Sequence, residues 1–352
     1  MASRGGVQSY MWRLWEMLAA IHETHDSQVT GLSLMDTPGA LAAWANAAPF
    51  RPTGASGRKL GFMRRAFCER KGVDCVVVGH LHLAPVAWLA KLLRRINRYV
   101  VVLHGVEAWE RGTWAQRMGL RYADAVVATT RYTAQTCAAV NQLTMQNFQV
   151  IPLCAEPAPT MPDPNFALDG DCPILFVGRL ATNEKYKGLE TLMGAISRIS
   201  ANVPCKLHVI GDGDDRARLQ ALARTLGLSE DNVQFYGRVS DAVLQAAYLS
   251  AKVFAMPSAR EGFGIVFLEA MRRAVPCIGG AHGGTPEVFR DGTEGFQVNY
   301  EDVATLSQRL QTLITDEKLH LRFAIAGQQR FGLEYTFTPF LQRWSALIYT
   351  HH

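Results

Sequence analysis

Apolar runs of strand length alternate with helix-length segments from one end of the chain to the other. Most runs are continuously apolar, which is typical of strands covered by helices on both faces and therefore of parallel sheets. The pattern predicts an α/β protein. The predicted strands are 28–34, 74–79, 98–104, 125–130 and 148–153 in the first half, and 173–178, 205–211, 232–237, 253–258 and 275–280 in the second.

A proline-rich connector, residues 155–164, is the clear change of composition and separates two βα-repeating halves. We expect two doubly wound, Rossmann-like domains that face a central cleft, over residues 1–154 and 165–335. Ligands of such sheets bind beyond the carboxyl ends of the strands. The residues that directly follow a strand are therefore the candidates for a functional site.

The segment SAREGFGIVFLEAM places two glutamates, Glu261 and Glu269, around a Gly-Phe-Gly bend that leads into an apolar helix. Gly262 and Gly264 let the backbone approach a ligand, and the start of the helix offers N–H groups to a phosphate. Glu269 lies four residues after Ile265, on the same helix face, where it could hold a ribose. The alternative is that Glu261 caps the helix and Glu269 is a solvated surface residue.

Two cations follow the first strand of the second half. Arg179 comes directly after that strand, and Lys187 precedes the glycine that opens the next helix. Such a pair can clamp a diphosphate and stabilise it as it leaves. Lys185 competes for the role of Lys187, and the spacing does not choose between them.

Glycine turns follow the next two strands as well. Gly211 closes one strand, and Gly237 with Arg238 closes another, where backbone groups could frame a nucleobase. One Gly-x-Gly is a weak signal, but glycine at four successive strand ends, two of them with paired charges, is a much stronger one. The sequence therefore predicts one ligand site built from several strand ends.

These segments together resemble the C-terminal domain of retaining GT-B glycosyltransferases of family 4, the group 1 glycosyltransferases. The matching stretches are VGRL…KG…L, VIGDGDDRARL, VQFYGRVSD, PSAREGFGIVFLEAM and VPCIGGAHGGTPEVFRDGTEGFQV, which span about residues 172–297. The resemblance implies that Arg179 and Lys187 bind the donor diphosphate. It also implies that Glu269 holds the ribose and that Glu261 contacts the donor sugar. Backbone groups at Phe263, Gly264 and Ile265 would complete the donor seat.

The resemblance extends more loosely into the first half. VVVLHGVEAW resembles the family's strand-end His-Gly, which would put His104 beside the donor sugar, with His80 and His82 as weaker alternatives. The glycine pair that ends at Gly6 resembles the loop after the first strand, which touches the diphosphate. Only Met-Ala-Ser-Arg precedes this pair, so the first strand is expected to be missing and the N-terminus to be incomplete. The last helix, about 336–352, is expected to cross back onto the first domain.

The resemblance implies an enzyme, a hexosyltransferase of the EC 2.4 class. It would move a hexose from a UDP- or GDP-sugar to a hydroxyl of a glycan or lipid-linked acceptor, with retention, in cell-surface polysaccharide or glycolipid assembly. The first domain would bind the acceptor and the second the donor. No feature of the sequence demands a metal or another cofactor. The catalytic candidates are Glu261, His104, Arg179 and Lys187.

Three other functions remain as alternatives. They are a non-catalytic nucleotide-sugar-binding protein, a GT-B epimerase and a GT-B phosphorylase. A dinucleotide oxidoreductase is disfavoured because neither VGRLATNEKYKG nor IGDGDDRA fits the Gly-x-Gly-x-x-Gly pattern.

Charge is distributed unevenly. Residues 1–150 carry 17 Lys/Arg and 9 Asp/Glu, against 19 and 22 in the remainder, and six of the seven tryptophans fall in the first part. The basic segments 58–71 and 91–98 fit contact with an anionic membrane surface, and the alternative is a solvated basic helix face. Nucleic acid is disfavoured, since no reading motif accompanies these charges. Scattered cysteines and no signal peptide predict a cytoplasmic protein, peripheral at the inner membrane face.

Overall fold

The computed structural model describes residues 6–25, 28–37, 39, 41, 52–67, 72–155 and 160–349. The chain divides into two compact units. The first unit comprises Met1–Cys154 with Phe337–His352, and the second comprises Ala155–Thr336. The boundary falls at the start of the predicted connector, whose residues 156–159 lie outside the described part of the chain.

A four-stranded parallel sheet forms the centre of the first unit, with its strands in chain order. A separate parallel pair, β1 and β2, precedes it. The prediction of a strand over 28–34 is wrong in extent, because only two of its residues find a partner in β2. The strands are β1 (Leu32–Ser33), β2 (Thr53–Gly54), β3 (Val73–Val78), β4 (Ile96–Leu103), β5 (Ala125–Ala128) and β6 (Phe148–Val150).

Helices cover this sheet. They are α1 (Gly6–His25), α2 (Lys59–Phe67), α3 (Ala84–Leu92), α4 (Trp114–Arg121) and α5 (Arg131–Asn141). Residues 99–103 of β4 are wholly buried, which is why that segment is continuously apolar. Gly6 is the first residue of α1, so the expectation that it belongs to a loop is wrong.

The second unit contains a six-stranded parallel sheet of order β12-β11-β10-β7-β8-β9. If β7 is numbered 1 and the sheet is followed from β9 to β12, the order is 3-2-1-4-5-6, which is that of the doubly wound Rossmann fold. The predicted fold class is confirmed. The edge strand β12 was missed because a polar residue, Gln297, interrupts its short apolar run. The strands are β7 (Pro173–Val177), β8 (Lys206–Ile210), β9 (Val233–Gly237), β10 (Val253–Met256), β11 (Cys277–Gly280) and β12 (Gly295–Val298).

The helices of the second unit alternate with its strands. They are α6 (Leu189–Ile199), α7 (Arg216–Thr225), α8 (Asp241–Ser250), α9 (Ile265–Arg272), α10 (Thr285–Val288), α11 (Val303–Thr315) and α12 (Glu317–Glu334). Among the helices that the structure describes, none has the length and apolarity required to cross a bilayer.

The last helix, α13 (Phe337–Tyr349), packs in the first unit. The rings of Tyr10 in α1 and Phe340 in α13 meet edge to face, with centroids 5.8 Å apart. Arg98 donates to the carbonyl oxygens of Leu347 and Ile348, 3.0 Å in each case. These carbonyls lie in the last turn of the helix, where no intrahelical donor is available, so Arg98 satisfies them.

Candidate functional site

Loops that follow β7, β10 and β11 meet at the carboxyl edge of the second sheet. The backbone N–H of Ala259, after β10, donates to the carbonyl of Tyr186, after β7, at 2.7 Å. The N–H of Gly284, after β11, donates to the carbonyl of Glu261 at 2.6 Å. Because β7, β10 and β11 are neighbours in the sheet, these bonds fix the three loops to one another.

Arg179 and Lys187 converge on one carboxylate, that of Glu184. The Lys187 Nζ lies 2.8 Å from Glu184 Oε2, and the Arg179 guanidinium binds Oε1. Glu184 is 8 % exposed. Burial acts to raise its pKa, but the bonds from Arg179 and Lys187 outweigh burial and hold the pKa below its usual range.

Glu184 was missed by the sequence reasoning. The signal that could have found it is its position three residues before Lys187, a spacing at which side chains meet within one helical turn. Residues 182–187 form two short 3-10 turns that meet at a kink at Glu184, whose φ of −117° and ψ of 22° are not helical.

Glu261 lies in the field of this ion-pair cluster. Burial raises the pKa of Glu261 to about 7, while Lys187 lowers it and Glu184 raises it further. A carboxyl with this pKa is present in both protonation states near neutral pH, so it can accept or donate a hydrogen bond to a hydroxyl. Lys185, by contrast, is exposed and acts electrostatically on Asp215. Of the two lysines, Lys187 is the one whose charge acts on the pKa of Glu261.

Helix α9 begins without a side-chain cap. Its N-cap residue is Gly264, at φ 88° and ψ 66°, a left-handed conformation that favours glycine. A Cβ added there would lie 2.6 Å from a ring carbon of Phe267. Glu261 does not occupy the N-cap, so the capping interpretation of Glu261 is wrong. The backbone of Ile265 starts the helix, whereas the side chain of Phe263 is buried against the Tyr335 ring.

Glu269 is held by a tyrosine from the neighbouring helix. The hydroxyl of Tyr248, in α8, donates to Glu269 Oε2 at 2.9 Å. Burial raises the pKa of Glu269, and the bond from Tyr248 and the charge of Arg272 oppose that rise. The interpretation of Glu269 as a solvated surface residue is therefore wrong. Tyr248, which the sequence reasoning missed, belongs to the apolar side of α8 and carries no distinguishing local signal.

Gly211 follows β8 and Gly237 ends β9, and both have a positive φ. A Cβ on Gly211, which has φ 140°, would lie 1.9 Å from the carbonyl oxygen of Gly178. A Cβ on Gly237, at φ 71°, would lie 2.8 Å from Arg216 Nη1. Close backbone packing thus accounts for Gly211 and the left-handed conformation for Gly237, and their part in ligand binding stays a prediction. Arg238 is exposed beside Gly237.

His104 follows β4 in the first unit and is 9 % exposed. Its Nε2 lies 2.8 Å from the Gly79 carbonyl oxygen, and its backbone N–H donates to Glu107 Oε1 at 2.5 Å. Burial lowers the pKa of the imidazole, although Gly79 and Glu107 oppose this. Because Nε2 must carry the proton to bind a carbonyl, Nδ1 presents a lone pair. Within the described residues, Nδ1 has no hydrogen-bond partner.

His80 and His82 lie at the end of β3, and their rings stack on each other. Their Nδ1 atoms are 3.0 Å apart, and the ring of His80 lies 6.2 Å from that of His104. No group of three or more His, Cys, Asp or Glu residues suited to a metal ion occurs in the described ranges. The structure therefore brings the three histidines near one another without forming a metal centre from them.

Several side chains of the predicted basic segments are engaged inside the first unit. Lys91 Nζ binds both carboxylate oxygens of Asp124, at 2.6 and 2.7 Å. Arg65 donates to the carbonyl of Gly54 at 2.7 Å, and Arg98 binds the end of α13. These three cations are engaged within the fold, and contact of the two segments with a membrane stays a prediction. Residues 68–71 lie outside the described residues.

Comparisons with known proteins cover nearly the whole chain. The family model "Glycosyltransferase Family 4" matches residues 4–158, and "Glycosyl transferases group 1" matches residues 162–330. A GDP-mannose-dependent alpha-(1-6)-phosphatidylinositol monomannoside mannosyltransferase of Mycolicibacterium smegmatis is 29 % identical over 356 residues, 92 % of this chain and 90 % of that protein. An N-acetyl-alpha-D-glucosaminyl L-malate synthase of Bacillus anthracis is 35 % identical over 136 residues, 39 % of this chain and 35 % of that protein.

Solved structures agree in fold. The Anabaena protein HepE in complex with UDP has a TM-score of 0.80 at 18 % identity, over 99 % of this chain and 98 % of that one. The apo lipopolysaccharide outer core galactosyltransferase WaaB has a TM-score of 0.77 at 20 % identity, over 100 % and 98 %. With both family models matched and the Rossmann strand order in its second unit, the chain belongs to the group 1 glycosyltransferases and has the GT-B fold.

Proposed function

We propose that this glycosyltransferase moves a hexose from a UDP- or GDP-sugar to a hydroxyl of a glycan or lipid-linked acceptor, with retention at the anomeric carbon. The observation that carries the proposal is the ion-pair cluster of Arg179, Lys187 and Glu184 at the sheet's carboxyl edge, hydrogen-bonded to the loop that contains Glu261. Such a cluster suits a ligand that carries both negative charge and hydroxyl groups.

Each group has a part in donor binding. Arg179, Lys187 and the uncapped start of α9 would bind the diphosphate, with backbone N–H groups and cations acting together. Glu269, oriented by Tyr248, would accept hydrogen bonds from the ribose. Glu261 would bind a hydroxyl of the sugar. Gly211, Gly237 and Arg238 lie at the neighbouring strand ends, where the base would bind.

The reaction needs no covalent enzyme intermediate. The bond between the anomeric carbon and the diphosphate breaks, a bond to the acceptor oxygen forms on the same face, and the acceptor proton passes to the departing diphosphate. Arg179 and Lys187 would stabilise the negative charge that develops on the leaving group. His104 would contribute the free Nδ1 lone pair as an acceptor for a sugar hydroxyl. We propose that no metal is required, because the two cations supply the positive charge.

Both donor bases are candidates. The mycolicibacterial relative is named GDP-mannose-dependent, and the Anabaena structure holds UDP. A thermal-shift screen of UDP- and GDP-sugars identifies the donor, because a ligand that binds the native state raises its melting temperature. Transfer to sugar or lipid acceptors is then measured with that donor, and NMR of the product reports the anomeric configuration.

Two lysines in the same loop provide a matched test. Lys187→Ala is expected to lower transfer about 100-fold or more, and Lys185→Ala to leave it within about threefold of the unaltered protein. Equal losses in the two variants, or no stabilisation by any nucleotide sugar, would contradict the proposal. Glu261→Ala separates an enzyme from a sugar-binding protein, because it is expected to abolish transfer without unfolding the chain.

We also propose a cytoplasmic location with contact to an anionic membrane, through the first unit. Leucines that end α3 are exposed beside arginines: Leu92 is 66 % and Leu93 is 54 % exposed, and Arg94 is exposed next to them. Leu60 in α2 is 87 % exposed. Exposed leucines next to cations suit insertion between anionic headgroups, and a lipid-linked acceptor would lie at such a surface.

Vesicle co-sedimentation tests this contact. The protein is expected to sediment with phosphatidylglycerol vesicles and to remain free of phosphatidylcholine vesicles. Replacing Leu92 and Leu93 with serine is expected to weaken sedimentation, whereas Leu321→Ser, at an equally exposed site of 57 % in α12, is the matched control. Equal sedimentation with both lipids would disprove an electrostatic membrane contact.

A further inference from the structure

Glu184 occupies the middle of the proposed donor site. It lies at the kink of the 3-10 segment Thr182–Lys187, between β7 and α6. Its two carboxylate oxygens are taken by different cations, Oε1 by Arg179 and Oε2 by Lys187. The Glu184 side chain is 8 % exposed, whereas that of Arg179 is 66 % exposed. A buried anion thus holds an exposed arginine in place.

This arrangement solves a problem that two neighbouring cations create. Arg179 and Lys187 repel each other, and each is a long side chain with several rotatable bonds. A carboxylate between them offsets the repulsion and restricts the positions that both cations occupy. Without Glu184, the exposed guanidinium of Arg179 would lose the bond that orients it.

Glu184 also acts on Glu261. Its negative charge raises the pKa of Glu261, while Lys187 lowers it. The other groups of the cluster are Tyr186, whose pKa responds to Glu184, Glu261 and Arg179, and Arg260, whose charge acts on Tyr186. His282 lies in the loop after β11, which is tied to Glu261 through a backbone hydrogen bond. The protonation of Glu261 therefore depends on the charge at position 184.

We propose that Glu184 is a positioning residue of the donor site. It holds Arg179 and Lys187 at a fixed separation, ready for the two phosphates, and it offsets part of their charge while the site is empty. This inference rests on the proposed function. It implies that the negative charge of Glu184 weakens binding of the donor diphosphate before the reaction. The alternative is an ion pair that only stabilises the loop.

The two possibilities predict different kinetics. If Glu184 positions the cations, Glu184→Gln is expected to lower kcat about tenfold or more, because misplaced cations stabilise the departing diphosphate less well. The KM for the donor is expected to fall, because a charge that repels the diphosphate has been removed. Glu184→Asp, which keeps the charge, is expected to recover part of kcat.

A matched control exists in the same unit. Glu294 is 1 % exposed in its side chain and pairs with Arg290 and Arg330, at a place with no proposed part in donor binding. Glu294→Gln removes a buried carboxylate from two arginines in the same way. It is expected to lower the melting temperature without lowering kcat, so it measures what loss of a buried ion pair does by itself.

The pH profile provides an independent readout. Glu184→Gln lowers the pKa of Glu261, so the acid limb of kcat/KM is expected to move to lower pH. Glu294→Gln leaves that limb where it is. An unmoved limb in Glu184→Gln, a loss of kcat no larger than in Glu294→Gln, or a raised donor KM with unchanged kcat would each overturn the positioning role.

Binding of UDP and GDP separates failure of this inference from failure of the proposed function. If the unaltered protein transfers no sugar, the proposed function fails, and calorimetry with UDP and GDP then tests Glu184 alone. Tighter binding of either nucleotide by Glu184→Gln than by Glu294→Gln supports the inference. Weaker or equal binding, or no binding of either nucleotide by the unaltered protein, overturns it.

Discussion

Replacing Glu261 with glutamine is expected to stabilise the protein, and more so at higher pH. Burial holds the pKa of Glu261 at about 7, against 4.5 for an ordinary glutamate. Well below pH 4.5 the group is neutral in both the folded and the unfolded chain. As the pH rises toward 7, the unfolded chain loses this proton first, and the folded state loses stability until its own carboxyl has ionised.

The size of the effect follows from the pKa difference. A difference of about 2.5 pKa units corresponds to about 3 kcal/mol, at 1.36 kcal/mol for each unit. Between about pH 5 and about pH 8, the free energy of unfolding of Glu261→Gln is therefore expected to gain about 2.5 kcal/mol over that of the unaltered protein. Partial exposure of the side chain makes this an upper value.

Urea denaturation at the two pH values measures this gain. None of the seven tryptophans lies in Ala155–Thr336, so far-ultraviolet circular dichroism, rather than tryptophan fluorescence, must report on the second unit. Glu230→Gln, at an exposed site of the same unit, is the control for loss of a carboxylate without loss of a buried one. A variant that is destabilised, or stabilised equally at both pH values, would refute the assignment of Glu261 as a desolvated carboxyl.

Three further results are expected. Tyr248→Phe removes the hydrogen bond to Glu269 and should raise the donor KM about fivefold, or about 1 kcal/mol; an unchanged KM would show that Tyr248 does not orient Glu269. Gly211→Ala should lower the free energy of unfolding by more than about 3 kcal/mol, because its Cβ would meet the Gly178 carbonyl. Its control is Gly332→Ala, in an uncrowded helical position, which should raise the free energy of unfolding by up to about 1 kcal/mol. Transfer activity should be the same with and without a chelator, and strict dependence on an added divalent ion would overturn the metal-free mechanism.

The Rossmann architecture could be predicted because its signal is local. Residues 99–103 are wholly buried in β4, and a strand buried on both faces must be apolar throughout. The pair Glu261 and Glu269 could be singled out for a similar reason, since both lie within one loop-helix segment of fixed spacing. Strand β12 was not predicted, because an edge strand is only partly enclosed and tolerates a polar residue, Gln297, among its four residues.

What the sequence by itself determined is therefore the set of elements, the family resemblance and the segments that carry the candidate charges. Only the tertiary structure decided which of those charges meet. It joined Arg179 and Lys187 through Glu184, placed Glu261 within the field of Lys187 rather than Lys185, and bonded Tyr248 to Glu269. The physical reason is that hydrophobic periodicity records burial along one segment, whereas an ion pair or a shifted pKa depends on neighbours that chain folding brings together.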